Sequence, residues 1–167
     1  MGKNYVFGVK TVKYGTPTGL ATMPVAPTAL PDTVKGSVTI EESEGAEMKF
    51  FVDQQSTPVK VITTEMGELS ATMKFYDLDY ATIAAFKGGT VDAVAPKGWK
   101  PAVGFVQIEK SLEITLDSGH ILNLFNAHCK ARIMDGGGRD KMFALELKAS
   151  PQMTADMLGS WEITDPA

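Results

Sequence analysis

A chain of 167 residues, 44% of them hydrophobic, suits a single domain with a real core, and a formal charge of −4 without any basic block argues against tight binding to nucleic-acid phosphates. The single cysteine, Cys129, excludes an intramolecular disulfide and fits assembly in a reducing compartment. No apolar run approaches the roughly 20 residues of a membrane span, the first residues lack the apolar core of a signal peptide, and Gly2 is followed by Val6 where myristoylation needs Ser or Thr, so a soluble, untargeted protein is expected.

Tyr5, Phe7 and Val9 alternate with Val6, Gly8 and Lys10 and predict an opening strand. A Pro/Thr-rich arm follows at about 14–32, punctuated by Pro17, Pro24, Pro27 and Pro31 and almost uncharged. It carries Leu20, Met23, Val25 and Leu30, which a solvated linker would not need. We expect these four to dock on a partner; packing across the chain's own sheet and disorder are the alternatives. Beyond the arm, Val34, Val38 and Ile40 alternate with polar residues, and after an acidic turn Met48, Phe50 and Val52 begin the second strand of an expected hairpin. Val59 and Val61 mark a further strand.

The most informative stretch is 67–90. Leu69, Ala71, Met73 and Phe75 share one face of a strand and Ser70, Thr72, Lys74 and Tyr76 the other, so one face is expected to be buried. From Asp77 the period lengthens: Leu78, Ala81 and Ala85 adjoin a stripe of Tyr80, Ile83 and Ala84, Asp77 and Asp79 are candidate N-caps, and Gly88 and Gly89 can end the helix in a left-handed conformation. A short helix at about 78–87 is predicted. The Pro- and Gly-punctuated run 94–102 is expected to cross to a second sheet.

The second half echoes the first at an offset of 74 residues, pairing Ser37 with Ser111, Gly45 with Gly119 and Phe51 with Phe125. Internal duplication and convergent strand patterning both account for this. Leu112, Ile114 and Leu116, then Ala127, Cys129, Ala131 and Ile133, read as one-sided strands; 135–140 reads as a flexible hairpin tip, and Trp161 and Ile163 as a closing strand. Many antiparallel strands and one short helix make the expected fold mainly β, a β-sandwich or distorted barrel, over one domain spanning 1–167.

No catalytic constellation emerges, and the expectation is a non-enzymatic protein without cofactor or metal. Cys129 and His128 point to opposite faces if they share a strand, so they and His120 do not make a metal set. Asp77 and Asp79 lack the further acidic ligands of a calcium loop and are explained by helix capping. Gly136, Gly137, Gly138 and Arg139 lack both dinucleotide and Walker spacing and precede a strand pattern, which makes them a turn. No Gly-x-Ser-x-Gly elbow occurs. The cluster Glu41, Glu42, Glu44 and Glu47 reads first as a solvated turn and second as an acidic surface facing a polyanion.

The strand-to-helix passage 67–89, set mid-chain between two groups of one-sided strands and preceded by the Pro/Thr-rich arm, resembles the major tail tube proteins of long-tailed bacteriophages and, more distantly, the tube protein of type VI secretion systems. The strongest local piece is Asp77-Leu-Asp-Tyr with Ala84-Ala-Phe-Lys-Gly-Gly, and the likeness covers most of the chain in element order. The resemblance implies a structural protein of the virion tail, made in the bacterial host cytoplasm, that forms hexameric rings stacking into a hollow tube through which DNA passes. Its partners would be further copies of itself, other tail proteins and DNA held without specificity. Six copies at −4 each carry −24 per ring, so an acidic lumen would repel the passing phosphates, with Glu41, Glu42, Glu44 and Glu47 as the lumen-facing candidates. Exposed strand edges and the arm, through Leu20, Met23, Val25 and Leu30, would make the contacts between copies. The competing class is a non-catalytic β-sandwich binding module for a carbohydrate or surface protein, with Trp99 and Trp161 as an aromatic platform; both tryptophans also suit a core.

Overall fold

The computed structural model describes residues 8–53, 55–76, 79–134 and 142–166. In chain order the elements are β1 (Thr11–Gly15), β2 (Thr28–Ala29), β3 (Thr39–Glu42), β4 (Glu47–Phe50), β5 (Lys60–Thr63), β6 (Leu69–Phe75), α1 (Tyr80–Lys87), β7 (Thr90–Asp92), β8 (Gly98–Lys100), β9 (Ile108–Thr115), β10 (Ile121–Met134), β11 (Ala144–Pro151) and β12 (Trp161–Thr164). The chain is mainly β, and among the described residues every strand pair is antiparallel and there is one short helix. One large sheet runs β2-β1-β9-β10-β11-β6-β3, with β12 added beside β10; β4 with β5 and β7 with β8 form separate two-stranded ribbons. Among the described residues the end strands β2 and β3 do not pair with each other, so no barrel closes.

Period-two patterning decides which face of the large sheet is dry. Ala71, Met73 and Phe75 of β6 lie opposite Ala149, Leu147 and Leu145 of β11, and all six are buried. The intervening Thr72 and Lys74 face Lys148 and Glu146 on the wet side. Each fully buried Leu, Met or Phe contributes about 1.5–3 kcal/mol relative to exposure, so this alternation sets the register of the sheet. The sheet curls round its dry face, because Val12 and Ile114 near one end share a core with Met73 and Phe75 near the other.

The long strand β10 is bent by an irregularity between Leu124 and Ala127. Before it Leu122 and Leu124 point inward, and after it Ala127 and Cys129 do. The extra residue shifts the parity, as a bulge must, and lets one strand pair with β12 at its start and β11 at its end. Ala127 and Cys129 thus take the inward face that sequence alternation predicts, whereas Ile133 is exposed beyond the edge of the core.

Helix α1 closes the dry face through Phe86, which packs against Tyr14 at a ring-centroid separation of 4.9 Å. Its buried residues are Thr82, Ile83 and Phe86, while Tyr80 and Ala81, expected on apolar stripes, lie exposed. Asp79 occupies the N-cap position but makes no side-chain capping hydrogen bond, and Asp77 and Leu78 lie outside the described residues. The helix stops before glycine as expected, but not in the left-handed helical conformation: Gly88 has φ 69° and ψ −166°, and its N–H donates to Ala84 O, while Lys87 Nζ donates to Ala131 O at 3.1 Å and ties the helix to β10.

Two expectations are corrected. The strand after the acidic turn does not pair with β3: β3 pairs with β6, and β4 pairs with β5. The offset of 74 residues matches β6 to β11 and β4 to the start of β10 in position, yet β10 lies at the centre of the large sheet and β4 has left it. The second half of the arm contains β2 and ends on Leu30 in the chain's own core, so that part packs on the chain's own sheet. The tip at 135–140 lies outside the described residues, as do residues 5–7 of the expected opening strand; residues 8–10 are not strand, and the first strand begins at Thr11.

Candidate assembly surfaces

The β4–β5 ribbon is where strand patterning and burial disagree. Every residue of both strands is exposed. Pairing of Met48 with Ile62 and of Phe50 with Lys60 puts Met48, Phe50 and Ile62 on one face, and the opposite face carries Val61. Phe51, Val52 and Val59 extend the apolar surface toward the tip, with Phe51 57% and Val59 61% exposed. A two-stranded hairpin in water is marginal alone, and one with apolar side chains on both faces has no dry side within its own chain.

The neck of the ribbon is nonetheless tied by hydrogen bonds. Where it leaves the sheet, Ser43 N–H donates to Glu68 O at 2.9 Å, Glu68 N–H to Ser43 Oγ at 2.8 Å and Thr64 N–H to Ala46 O at 2.8 Å. Gly45 and Gly67 permit this neck: a Cβ on Gly45 would run into the Glu65 carbonyl, and one on Gly67 into that of Ser43. The sequence signal for this surface was the unbroken run Phe50-Phe51-Val52, with Val61-Ile62 opposite. Adjacent apolar residues in a strand point both ways, which a strand with one wet face does not need.

The arm residues are dispersed. Leu20 and Val25 are exposed, Met23 is half-buried, and Leu30 is a core residue and so is unavailable to a partner. The stretch around Leu20 is pinned to the turn before β12: Ala155 N–H donates to Gly19 O at 2.8 Å, and Ala21 N–H to Asp156 Oδ2 at 2.9 Å. Those bonds, first Ala21 N–H and then the Thr154 hydroxyl, hold the Asp156 carboxyl below its ordinary value, so it is ionised through the neutral and mildly acidic range.

The acidic turn does not present one face. Glu41 and Glu42 are consecutive on β3 and therefore point to opposite sides, while Glu44 and Glu47 border a surface hollow shared with Lys49, whose Nζ lies 3.9 Å from Glu47. All four carboxylates are exposed. The broad wet face of the large sheet mixes signs instead: Lys13 bonds Glu113 at 2.7 Å and Arg132 bonds Glu146 at 2.5 Å.

A groove lies where the curled sheet fails to close, lined by Val9, Val34, Val38, Ile40, Leu122 and Ile163. No protein-family model matches the chain, and no curated protein matches its sequence.

His120 is buried, with Nδ1 2.9 Å from Ser118 Oγ and Nε2 3.5 Å from Asp165. His128 lies on the opposite face of β10 from Cys129, as alternation requires, and among the described residues no three His, Cys, Asp or Glu side chains converge. Burial pushes the Cys129 thiol up to about 12, against a smaller opposing pull from Lys110. The native thiol is expected to resist iodoacetamide at neutral pH and to react fully in denaturant; mass spectrometry of alkylated protein checks this, and rapid native labelling would contradict it. Trp99 and Trp161 are both half-buried, Trp99 donating its indole N–H to Gly88 O at 2.8 Å and Trp161 packing on the core. No helix among the described residues is long and apolar enough to cross a membrane.

Proposed function

We propose that this chain is a structural subunit that assembles with copies of itself into rings, and that the rings stack into a tail-type tube conducting DNA. The observation that carries the assembly step is the β4–β5 ribbon, fixed at its neck and apolar on both faces. Single soluble chains rarely leave such a surface uncovered, and a further copy of the same chain is always present to cover it. A head-to-tail contact whose rotation closes makes a ring, and short free edges such as β3 and β12 offer backbone groups to a neighbour. The tube and its cargo come from the resemblance in element order described above.

In such a tube DNA would pass without adhering, since a six-copy ring carries −24 formal charges at −4 per chain. Of the acidic turn, Glu41 or Glu42 would face the lumen, but not both, because they point to opposite sides of β3. Trp99 and Trp161, the platform of the binding-module alternative, are both half-buried. Native mass measurement across a concentration series tests the reading. The expected result is a ring-sized multiple of the 17.9 kDa chain that grows in population with concentration. A single 17.9 kDa species throughout would overturn it.

A further inference from the structure

Residues 16–27 leave the large sheet after Gly15 and rejoin it at Thr28, so this segment is a strap whose ends are pinned by the pairing of β1 with β2. Between those ends, among the described residues, its hydrogen bonds either stay within the strap, as those of Thr18 to Leu20 and Thr22 do, or run to residues 155 and 156. The turn it meets is itself anchored to the bent centre of β10: Gln152 N–H donates to Asn126 O at 2.7 Å, and Phe125 N–H to Ser160 O at 3.2 Å. The turn is thus tied to the sheet by hydrogen bonds of its own, independent of the strap.

One carboxylate joins the two. Asp156 Oδ2 accepts from Ala21 of the strap, while Oδ1 accepts from the Thr154 hydroxyl at 2.5 Å and Leu158 N–H at 3.3 Å within the turn. Thr154 is buried, and its hydroxyl also lies 2.8 Å from Gly159 O, so its one proton favours the charged acceptor. The turn carries a local strain that such bonding must hold: Met157, an exposed non-glycine residue, has φ 55°. Leu20, flanked by the two strap residues bonded to the turn, is exposed, as are Met157 and Leu158 of the turn.

The geometry points to a releasable strap latched by Asp156: when this carboxylate lets go, residues 16–27 come away from the 152–159 turn while the sheet stays intact. Among the described residues the other hydrogen bond between strap and turn is the backbone one from Ala155 N–H to Gly19 O, so Asp156 supplies the side-chain part of the attachment. This inference stands independently of tube assembly, since it concerns one chain alone.

Hydrogen exchange on the full chain tests it, comparing the parent protein with Asp156→Ala and with the milder Asp156→Asn, which keeps one acceptor oxygen. In Asp156→Ala the amides of Ala21 and Ala155 are expected to exchange about tenfold faster or more, with Asp156→Asn between the two and protection in β6, β10 and β11 unchanged. Unchanged protection at Ala21 and Ala155 would overturn the latch, as would a uniform rise across all strands. Should Asp156→Ala fail to fold, the Asp156→Asn chain alone decides between the same outcomes.

Discussion

A chain carrying Phe50→Glu together with Ile62→Glu is expected to stay folded and monomeric at concentrations where the parent chain assembles. Both residues lie on one face of the β4–β5 ribbon and both are exposed in the single chain, so the folded protomer loses almost nothing. Substitutions at such sites usually change stability by no more than about 0.5 kcal/mol. In an assembly the same two side chains would be buried, each contributing about 1.5–3 kcal/mol at every contact, and replacing them with carboxylates also adds desolvation cost. Losing about 3–6 kcal/mol per contact weakens association by roughly 10²- to 10⁴-fold. Sedimentation velocity reads the association and urea unfolding reads the fold. A variant that assembles as the parent does would remove the ribbon from the interface; one that no longer folds would show that the ribbon belongs to the core of the protomer.

The opposite pattern is expected for Phe75→Ala. Phe75 is fully buried on β6, opposite Leu145 and within the core that also holds Met73 and Leu147. Removing a buried aromatic costs about 3–5 kcal/mol through lost transfer energy and the cavity left behind. That is a large part of the roughly 5–15 kcal/mol that holds a typical domain folded, and it corresponds to a fall in Tm of roughly 6–20 °C for a chain of this size. Thermal unfolding followed by circular dichroism measures it. A fall of a degree or two would mean that the dry face is not the tightly packed layer its burial indicates. Together the two variants separate residues that hold the protomer from residues that wait for a neighbour.

That separation is what the amino-acid pattern could not supply unaided. In β6 the alternation of Ala71, Met73 and Phe75 with Thr72 and Lys74 names the buried face without ambiguity, and the stop at Gly88 follows from the absence of a Cβ. The same alternation in Met48, Phe50 and Val61 gave the strands but not their surroundings, because periodicity reports that a face is apolar and not what covers it. It also suggested that consecutive strands pair, whereas β3 reaches past two strands to β6. Long-range pairing of this kind leaves no local trace. The bulge in β10 was hidden for a related reason: Leu122, Leu124, Ala127 and Cys129 all point inward only because Phe125 and Asn126 break the parity between them.

The arm was legible in part. Its composition announced a segment with apolar needs, and the structure divides those needs between the core, which takes Leu30, and the surface, which keeps Leu20 and Val25. Asp156, which fastens the strap, lies 135 residues away from Ala21, and nothing near either residue in the chain points to the other. The acidic turn was legible as a solvated turn, while the opposed directions of Glu41 and Glu42 follow from β3 continuing through both.

Negative-stain microscopy of the purified chain across a concentration series tests the central claim most directly. The account predicts rings or stacked tubes with a central channel, absent from the Phe50→Glu, Ile62→Glu chain under the same conditions. Particles no larger than one folded chain at every concentration, with the ribbon still exposed to solvent, would contradict it.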